Sequence, residues 1–344
     1  MNTPPRHHNN FNLIRLLAAM QVMIVHALNH FGISGYAVEV LKVFPGVPTF
    51  FFLSGYLICS SYQRTTGKGL LAFFKNRVLR IYPALWVCIL LSTATVFILG
   101  YLPTPGLNLS SFFMWLVGQM TILQFYNPEF MRGFGVGVLN GALWTVSIEL
   151  QFYLLMPVIY YLAQRAKAFL ILVFLLSLAL NVYFRQHLDW NVMYMKLLYV
   201  SFAPWLYIFL LGCFIALNEE WIARIKRLEY KYLLPAYLLA MNFIGTYERN
   251  AENSINPVAV LLLIALLLKF GTAQLALPAK ITAVIRNTDF SYGLYLYHMP
   301  IINVLLFTGA FSAGVNVFAT VVFSIVAAMF SWYVVERPAL KHKY

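Results

Sequence analysis

Residues 11–31 read FNLIRLLAAMQVMIVHALNHF. A helix needs about 20 mainly apolar residues to cross the hydrocarbon of a bilayer. This run supplies them while carrying Arg15, His26 and Asn29, which the apolar stretch of a cleaved signal peptide tolerates poorly, so it reads as a retained span. Ionisable groups inside a span are costly and usually mark function. Arg15 and His26 are eleven residues apart. At about 100° per residue that is three turns plus roughly 20°, so both point the same way, about 16 Å apart along the axis. Arg15 either snorkels to headgroups or lines an internal polar path. His26 either makes a structural bond between helices or serves as a general base, since an imidazole titrates near neutral pH.

The rest of the chain agrees with a membrane setting. Of 344 residues 61% are hydrophobic and 10% charged, with a mean hydropathy of +0.75. A soluble domain carries about 25% charged residues, so this chain cannot coat a water-exposed globule. The 29 Phe, 22 Tyr and 7 Trp exclude disorder, and three cysteines exclude a disulfide scaffold. Cys59, Cys88 and Cys213 lie in apolar runs and read as small hydrophobes. The net charge of +13 does not call for nucleic acid here, because cytoplasmic loops of membrane proteins collect Lys and Arg.

The pattern predicts an all-α polytopic bundle forming a single domain over 1–344, with no soluble accessory domain. It predicts about ten spans: 11–31, 44–63, 81–101, 142–163, 168–184, 198–217, 231–247, 255–270, 290–309 and 313–335. Ten crossings put both termini on one side. Eighteen Lys and Arg fall on that side and five (Lys42, Arg132, Arg185, Lys196 and Arg249) on the other, with Arg15 inside a span completing the 24. Positive residues favour the cytoplasm, so the N- and C-termini are expected there. The stretch 112–125 is too short for a comfortable crossing and is expected to form an interfacial or re-entrant helix.

Few other polar groups fall in the expected spans. Glu149 is the only acid well inside one. Its depth resembles that of His26, so Glu149 either pairs with His26, the carboxylate fixing the imidazole tautomer, or is a protonated structural acid. Thr145, Glu149 and Tyr153 share a stripe at i, i+4 spacing. Arg77 and Arg80, with Lys75 nearby, either rest on anionic lipid or grip a phosphate. His298 lies mid-span, on a face with Ser291 and Tyr295, and divides between a structural bond and a pore-lining role. Pro300 should bend its helix and free a carbonyl. No Gly-rich phosphate loop, metal-ligand pattern or nucleophile elbow occurs, so no metal is expected.

These segments resemble the integral-membrane acyltransferase-3 family. Arg15 and His26 match its Arg-x10-His signature. Phe51-Phe52-Leu53-Ser54-Gly55-Tyr56-Leu57-Ile58 is similar to its second-helix motif, and Arg77-Val78-Leu79-Arg80-Ile81-Tyr82-Pro83 to its Arg-x-x-Arg segment. Leu143 to Tyr153 resembles its LWSLSVEEQFY block, with Leu150 where a second Glu is common. Tyr292 to Pro300 and Glu336-Arg337-Pro338 match its last two spans. The resemblance implies an enzyme moving an acyl group, commonly acetyl from acetyl-CoA, onto a hydroxyl of an envelope or exported glycan, such as O-antigen, exopolysaccharide or a lipid-linked sugar. The setting implied is a bacterial cytoplasmic (inner) membrane. Acetyl-CoA is then a co-substrate rather than a bound cofactor, and the partners are acyl-CoA, the glycan acceptor and membrane lipids. His26 and Glu149 are the expected catalytic pair; Arg15, Lys75, Arg77 and Arg80 the expected acyl-CoA site; and Ser54, Tyr82, Tyr153, Tyr295 and His298 candidate pore or acceptor lining. A transporter or flippase of a lipid-linked sugar is the rival reading, and succinyl-CoA or another short acyl-CoA an alternative donor.

Overall fold

The computed structural model describes residues 9–103, 107–243, 256–274, 278, 282 and 287–343. Among them every regular element is helical. In chain order these are α1 (Phe11–His30), α2 (Tyr36–Leu41), α3 (Gly46–Thr65), α4 (Leu70–Ile98), α5 (Leu109–Met120), α6 (Trp144–Arg165), α7 (Lys167–His187) and α8 (Met193–Tyr199). There follow α9 (Leu206–Leu217), α10 (Glu219–Arg227), α11 (Tyr230–Phe243), α12 (Pro257–Gly271), α13 (Ser291–Thr308), α14 (Ala313–Phe330) and α15 (Arg337–Leu340).

Among the described residues six segments are long and apolar enough to cross a bilayer: α1, α3 with its flanks, α4, α6, α7 and the continuous Ala313–Leu340. A seventh counts if α9 and α10, bent by 97°, form one broken span. This makes the chain a multi-pass membrane protein. Among the described residues ten spans are not met by length and composition, for three physical reasons. The expected span 198–217 breaks between α8 and α9, where Pro204 cannot donate and the Ser201 hydroxyl binds the Leu198 carbonyl at 2.7 Å. α12 has only 15 residues, and α13, rich in Ser, Tyr, His and Asn, is polar because it is packed inside the protein rather than against lipid. Of the expected span 231–247, residues 244–247 lie outside the described residues, as does residue 255 at the start of 255–270. α5, where a short non-crossing helix was expected, has 12 residues and starts at Asn108, whose side chain accepts from the Ser111 amide at 3.2 Å.

The bundle closes on the crossing of α3 and α9. A Cβ on Gly55 would run into the Phe209 carbonyl, and one on Gly212 into the Phe52 carbonyl. Only glycine allows backbones so near, the packing that small residues permit in a membrane. Phe152 of α6 stacks on Phe209 with centroids 4.4 Å apart and locks the third helix to this pair. α1 lies beside α13, and its start is tied to the end of α12: the Asn10 amide donates to the Gly271 carbonyl at 2.7 Å, and Asn10 Nδ2 to the Phe270 and Ala273 carbonyls.

The freed carbonyl expected from Pro300 is that of Leu296, four residues earlier. It accepts from Asn140 Nδ2 at 2.7 Å and from Cys88 Sγ at 3.4 Å. A proline that would leave an orphan acceptor in lipid is thus met by two neighbours, one of them on the loop leading to α6. Asn303, one turn beyond Pro300, holds the same loop through the Val138 and Leu139 carbonyls and the Val136 amide. Gly135 has φ +54°, and any Cβ there would strike Asn303. The loop is therefore fastened over one end of the bundle.

Candidate active site

α1 carries Arg15 and His26 towards the same side, as its periodicity requires, and the two lead to opposite ends of a polar interior. At one end a cavity of about 250 Å³ is lined by Arg15, Ser54, Arg77, Arg80, Glu149, Tyr153, Asp289 and Lys343, among others. At the other a cavity of about 350 Å³ is lined by His26, Gln124, Asn127, Trp144, Trp190, Tyr199 and Tyr295, among others. A narrow space of about 40 Å³ lies between them and has Arg15, Ser54 and Glu149 in common with the first and Val47 and Tyr295 in common with the second. A row of three spaces with shared walls thus runs from the arginine end to the histidine end.

At the histidine end, the expected pairing of His26 with Glu149 is not made. His26 Nδ1 lies 3.0 Å from Nε2 of His298, with the two rings stacked at 5.2 Å. This leaves His26 Nε2 as the nitrogen available to a ligand. His298 is fully buried and Tyr295 packs edge-on against it at 5.7 Å. The Tyr295 hydroxyl is anchored between Thr145 Oγ1 at 2.6 Å and the Ala142 carbonyl at 3.1 Å. Glu149 faces α3 instead: it accepts from Tyr153 at 2.5 Å and from Ser54 at 3.2 Å. Equal depth in two helices does not fix the direction in which a side chain points, and the stripe bearing Thr145, Glu149 and Tyr153 divides its members among different neighbours.

At the arginine end the expected residues separate. Arg80 is buried and held by carboxylates. It pairs with Asp289, which also takes Arg15 at 3.1 Å, and lies 3.6 Å from Glu336. Burial disfavours the ionised carboxyl of Asp289, yet Arg80, Arg15 and hydrogen bonds from Ser291 hold it well below the usual carboxylate range. Glu336 is brought inward by a π-helical turn over Ser331–Glu336, where the Ser331 hydroxyl donates to it at 2.9 Å. Arg77 binds Ser61 at 3.1 Å and its guanidinium lies 5.7 Å from the Tyr153 ring centroid. Lys75 is exposed and is not among the lining residues of the cavity. Tyr82 lies outside all three spaces, donating to the Thr121 carbonyl at 3.3 Å.

Asp289, Glu336 and Lys343 are the polar residues that sequence reasoning missed. Both acids sit at the edges of expected spans, where a headgroup or water would satisfy them. The available signal was that Arg15 and Arg80 had no acid inside any expected span on their side. Glu149 is therefore not the only acid enclosed by the helices. Among the described residues no group of His, Cys, Asp and Glu is arranged to hold a metal ion.

An acyltransferase domain model matches residues 8–337. Over 97% of this chain and 94% of the relative, the sequence is 32% identical to nodulation protein 10 of Rhizobium leguminosarum bv. viciae. It is 27% identical to the O-acetyl transferase of Shigella phage Sf6, over 96% of this chain and 95% of the relative. It is 29% identical to O-acetyltransferase OatA of Staphylococcus aureus (strain NCTC 8325 / PS 47) over 87% of this chain, which spans about half (51%) of that longer protein. No solved structure matches. With a family model running through Arg15, His26, Arg80, Glu149 and His298 to the last helix, the chain belongs to the acyltransferase-3 family.

Proposed function

We propose that the chain transfers a short acyl group, acetyl from acetyl-CoA, through the membrane interior to a hydroxyl of an envelope or exported glycan. The row of three spaces carries this reading. Its arginine end is lined by Arg15, Arg77, Arg80 and Lys343 against Glu149 and Asp289, with Glu336 also against Arg80, so four basic groups face three carboxyls and the small excess of positive charge suits a phosphate-bearing nucleotide. The axial distance of about 16 Å from Arg15 to His26 suits an extended pantetheine arm. The narrow middle space favours acetyl over succinyl or longer groups. In this reading the arginine end faces the cytoplasm, where CoA is made, in a bacterial inner membrane, which suits the Arg and Lys side chains gathered there.

In this reading the acceptor hydroxyl reaches His26 from the other cavity. His26 Nε2 takes the hydroxyl proton as its oxygen attacks the thioester carbonyl. The C–O bond forms, the C–S bond breaks, and the CoA thiolate leaves with the proton returned from His26. His298 accepts from His26 Nδ1–H, fixes the ring's orientation and shares the charge it acquires; it is a positioning residue. Glu149, with Ser54 and Tyr153, lines the passage for the arm. Family membership leaves the transporter reading without support. Purified protein in detergent, given acetyl-CoA labelled in the acetyl group and a panel of saccharides, is expected to label a saccharide and release CoA. Saccharide movement into vesicles with no CoA released would overturn the reading.

Lys343 adds a pH dependence. Partial burial and the nearby Arg80, Arg77 and Arg15 lower its ammonium to about 7. The charged form, which binds an anion, is held below that pH and lost above it. KM for acetyl-CoA is therefore expected to rise severalfold between about pH 6 and pH 8. In Lys343→Arg, whose guanidinium stays charged, this rise should flatten. A steady-state pH series on both proteins checks it; identical profiles would remove Lys343 from donor binding.

A further inference from the structure

The geometry points to a subsite for an uncharged pyranose in the cavity that His26 lines. Two amides of that cavity spend their NH2 groups on backbone carbonyls: Gln124 Nε2 donates to Thr121 at 2.6 Å, and Asn127 Nδ2 to Phe125 at 3.2 Å. Their oxygens, Gln124 Oε1 and Asn127 Oδ1, are left without a hydrogen-bond partner. Since the amides are already oriented by their nitrogens, what they lack is a donor, and a buried acceptor without one is costly. The same cavity is lined by three aromatic rings, with Trp144 5.5 Å and Trp190 5.3 Å from Tyr199. Among the described residues lining this cavity none carries a full charge.

Each feature selects a ligand property. Aromatic faces suit the C–H face of a sugar ring. Free amide oxygens suit hydroxyl or amide N–H donors and repel carboxylate and phosphate. The lack of a charged partner makes desolvating an anion unfavourable. A neutral hexose or N-acylhexosamine unit meets all three, and a uronic acid fails two. His26 and Trp190 line the same cavity, so a sugar bound there shares its space with the proposed base. The proposal rests on the acyl-transfer reading for the fate of the bound sugar but not for its binding.

The test uses the full chain in lipid nanodiscs without donor, with binding followed by intrinsic tryptophan fluorescence. The probes are cellotetraose, maltotetraose and chitotetraose, with tetragalacturonate as the anion. At least one neutral tetrasaccharide should bind about tenfold or more tightly than tetragalacturonate. Trp190 is 47% exposed, so its replacement leaves the bundle intact. Trp190→Ala should weaken that binding about tenfold, while Trp190→Phe, which keeps a stacking face, should stay within about threefold of wild type. Equal affinity for tetragalacturonate, no binding of any neutral probe, or unchanged binding in Trp190→Ala overturns the subsite. Selective binding without acyl transfer from acetyl-CoA to any bound saccharide supports the subsite and overturns the functional reading instead.

Discussion

His26→Ala is expected to lower kcat for acyl transfer about 10²- to 10⁴-fold, the range for losing a general base. Donor binding should be nearly unchanged, because the acetyl-CoA nucleotide is proposed to dock at the arginine end. The structure sharpens this by giving His26 a partner. His298→Ala should also lower kcat, by less, while His298→Gln, whose amide oxygen can still accept from His26 Nδ1–H, should recover part of the loss. Initial-rate kinetics with a fixed saccharide separate the cases. Wild-type turnover in His26→Ala would remove the imidazole from the chemistry. Equal activity in the two His298 variants would assign that residue a packing role only.

The second large effect is expected on stability. Asp289→Ala leaves Arg80 and Arg15 close together in a buried site, with Glu336 the remaining carboxylate near Arg80. Removing one partner of a buried ion pair typically costs about 3–5 kcal/mol, because a charge is left uncompensated. The melting temperature in detergent should fall by several degrees or more, with a loss of folded protein at 37 °C. Adding Arg80→Met to Asp289→Ala should restore part of the stability, since the more deeply buried of the two stranded charges is then gone. If the double variant is as unstable as the sum of the single ones, unpaired charge is not the cause. This carboxylate is shared between α1 and α4 just ahead of α13, so its loss should also widen the cavity proposed for the donor.

Much of the site could be read from residue order alone. The eleven-residue spacing of Arg15 and His26 puts them on one face of one helix wherever that helix packs, because the pitch is local. Pro300 frees the Leu296 carbonyl for the same reason. The breakdown of the expected span 198–217 also had a local cause in Pro204, but a window of average hydropathy passes over it. Residues 112–125 read as too short to cross, and the helix formed there, α5, has 12 residues.

Partnership was another matter. Glu149 and His26 lie at matching depths, yet Glu149 turns to Ser54 and Tyr153 and His26 to His298, because the rotation of each helix is set by how α3, α6 and α13 pack. Arg80 stands in a segment that reads as a phosphate grip, but Asp289 and Glu336, 209 and 256 residues further on, hold its guanidinium. The sequence by itself determined a membrane-embedded helical chain and one helix bearing an arginine and a histidine in line, since hydropathy and helical pitch depend on near neighbours. Tertiary structure alone decided which charges are neutralised, which imidazole meets which, and where space remains. Those depend on side chains far apart in the chain competing for the same few polar contacts in a medium without water.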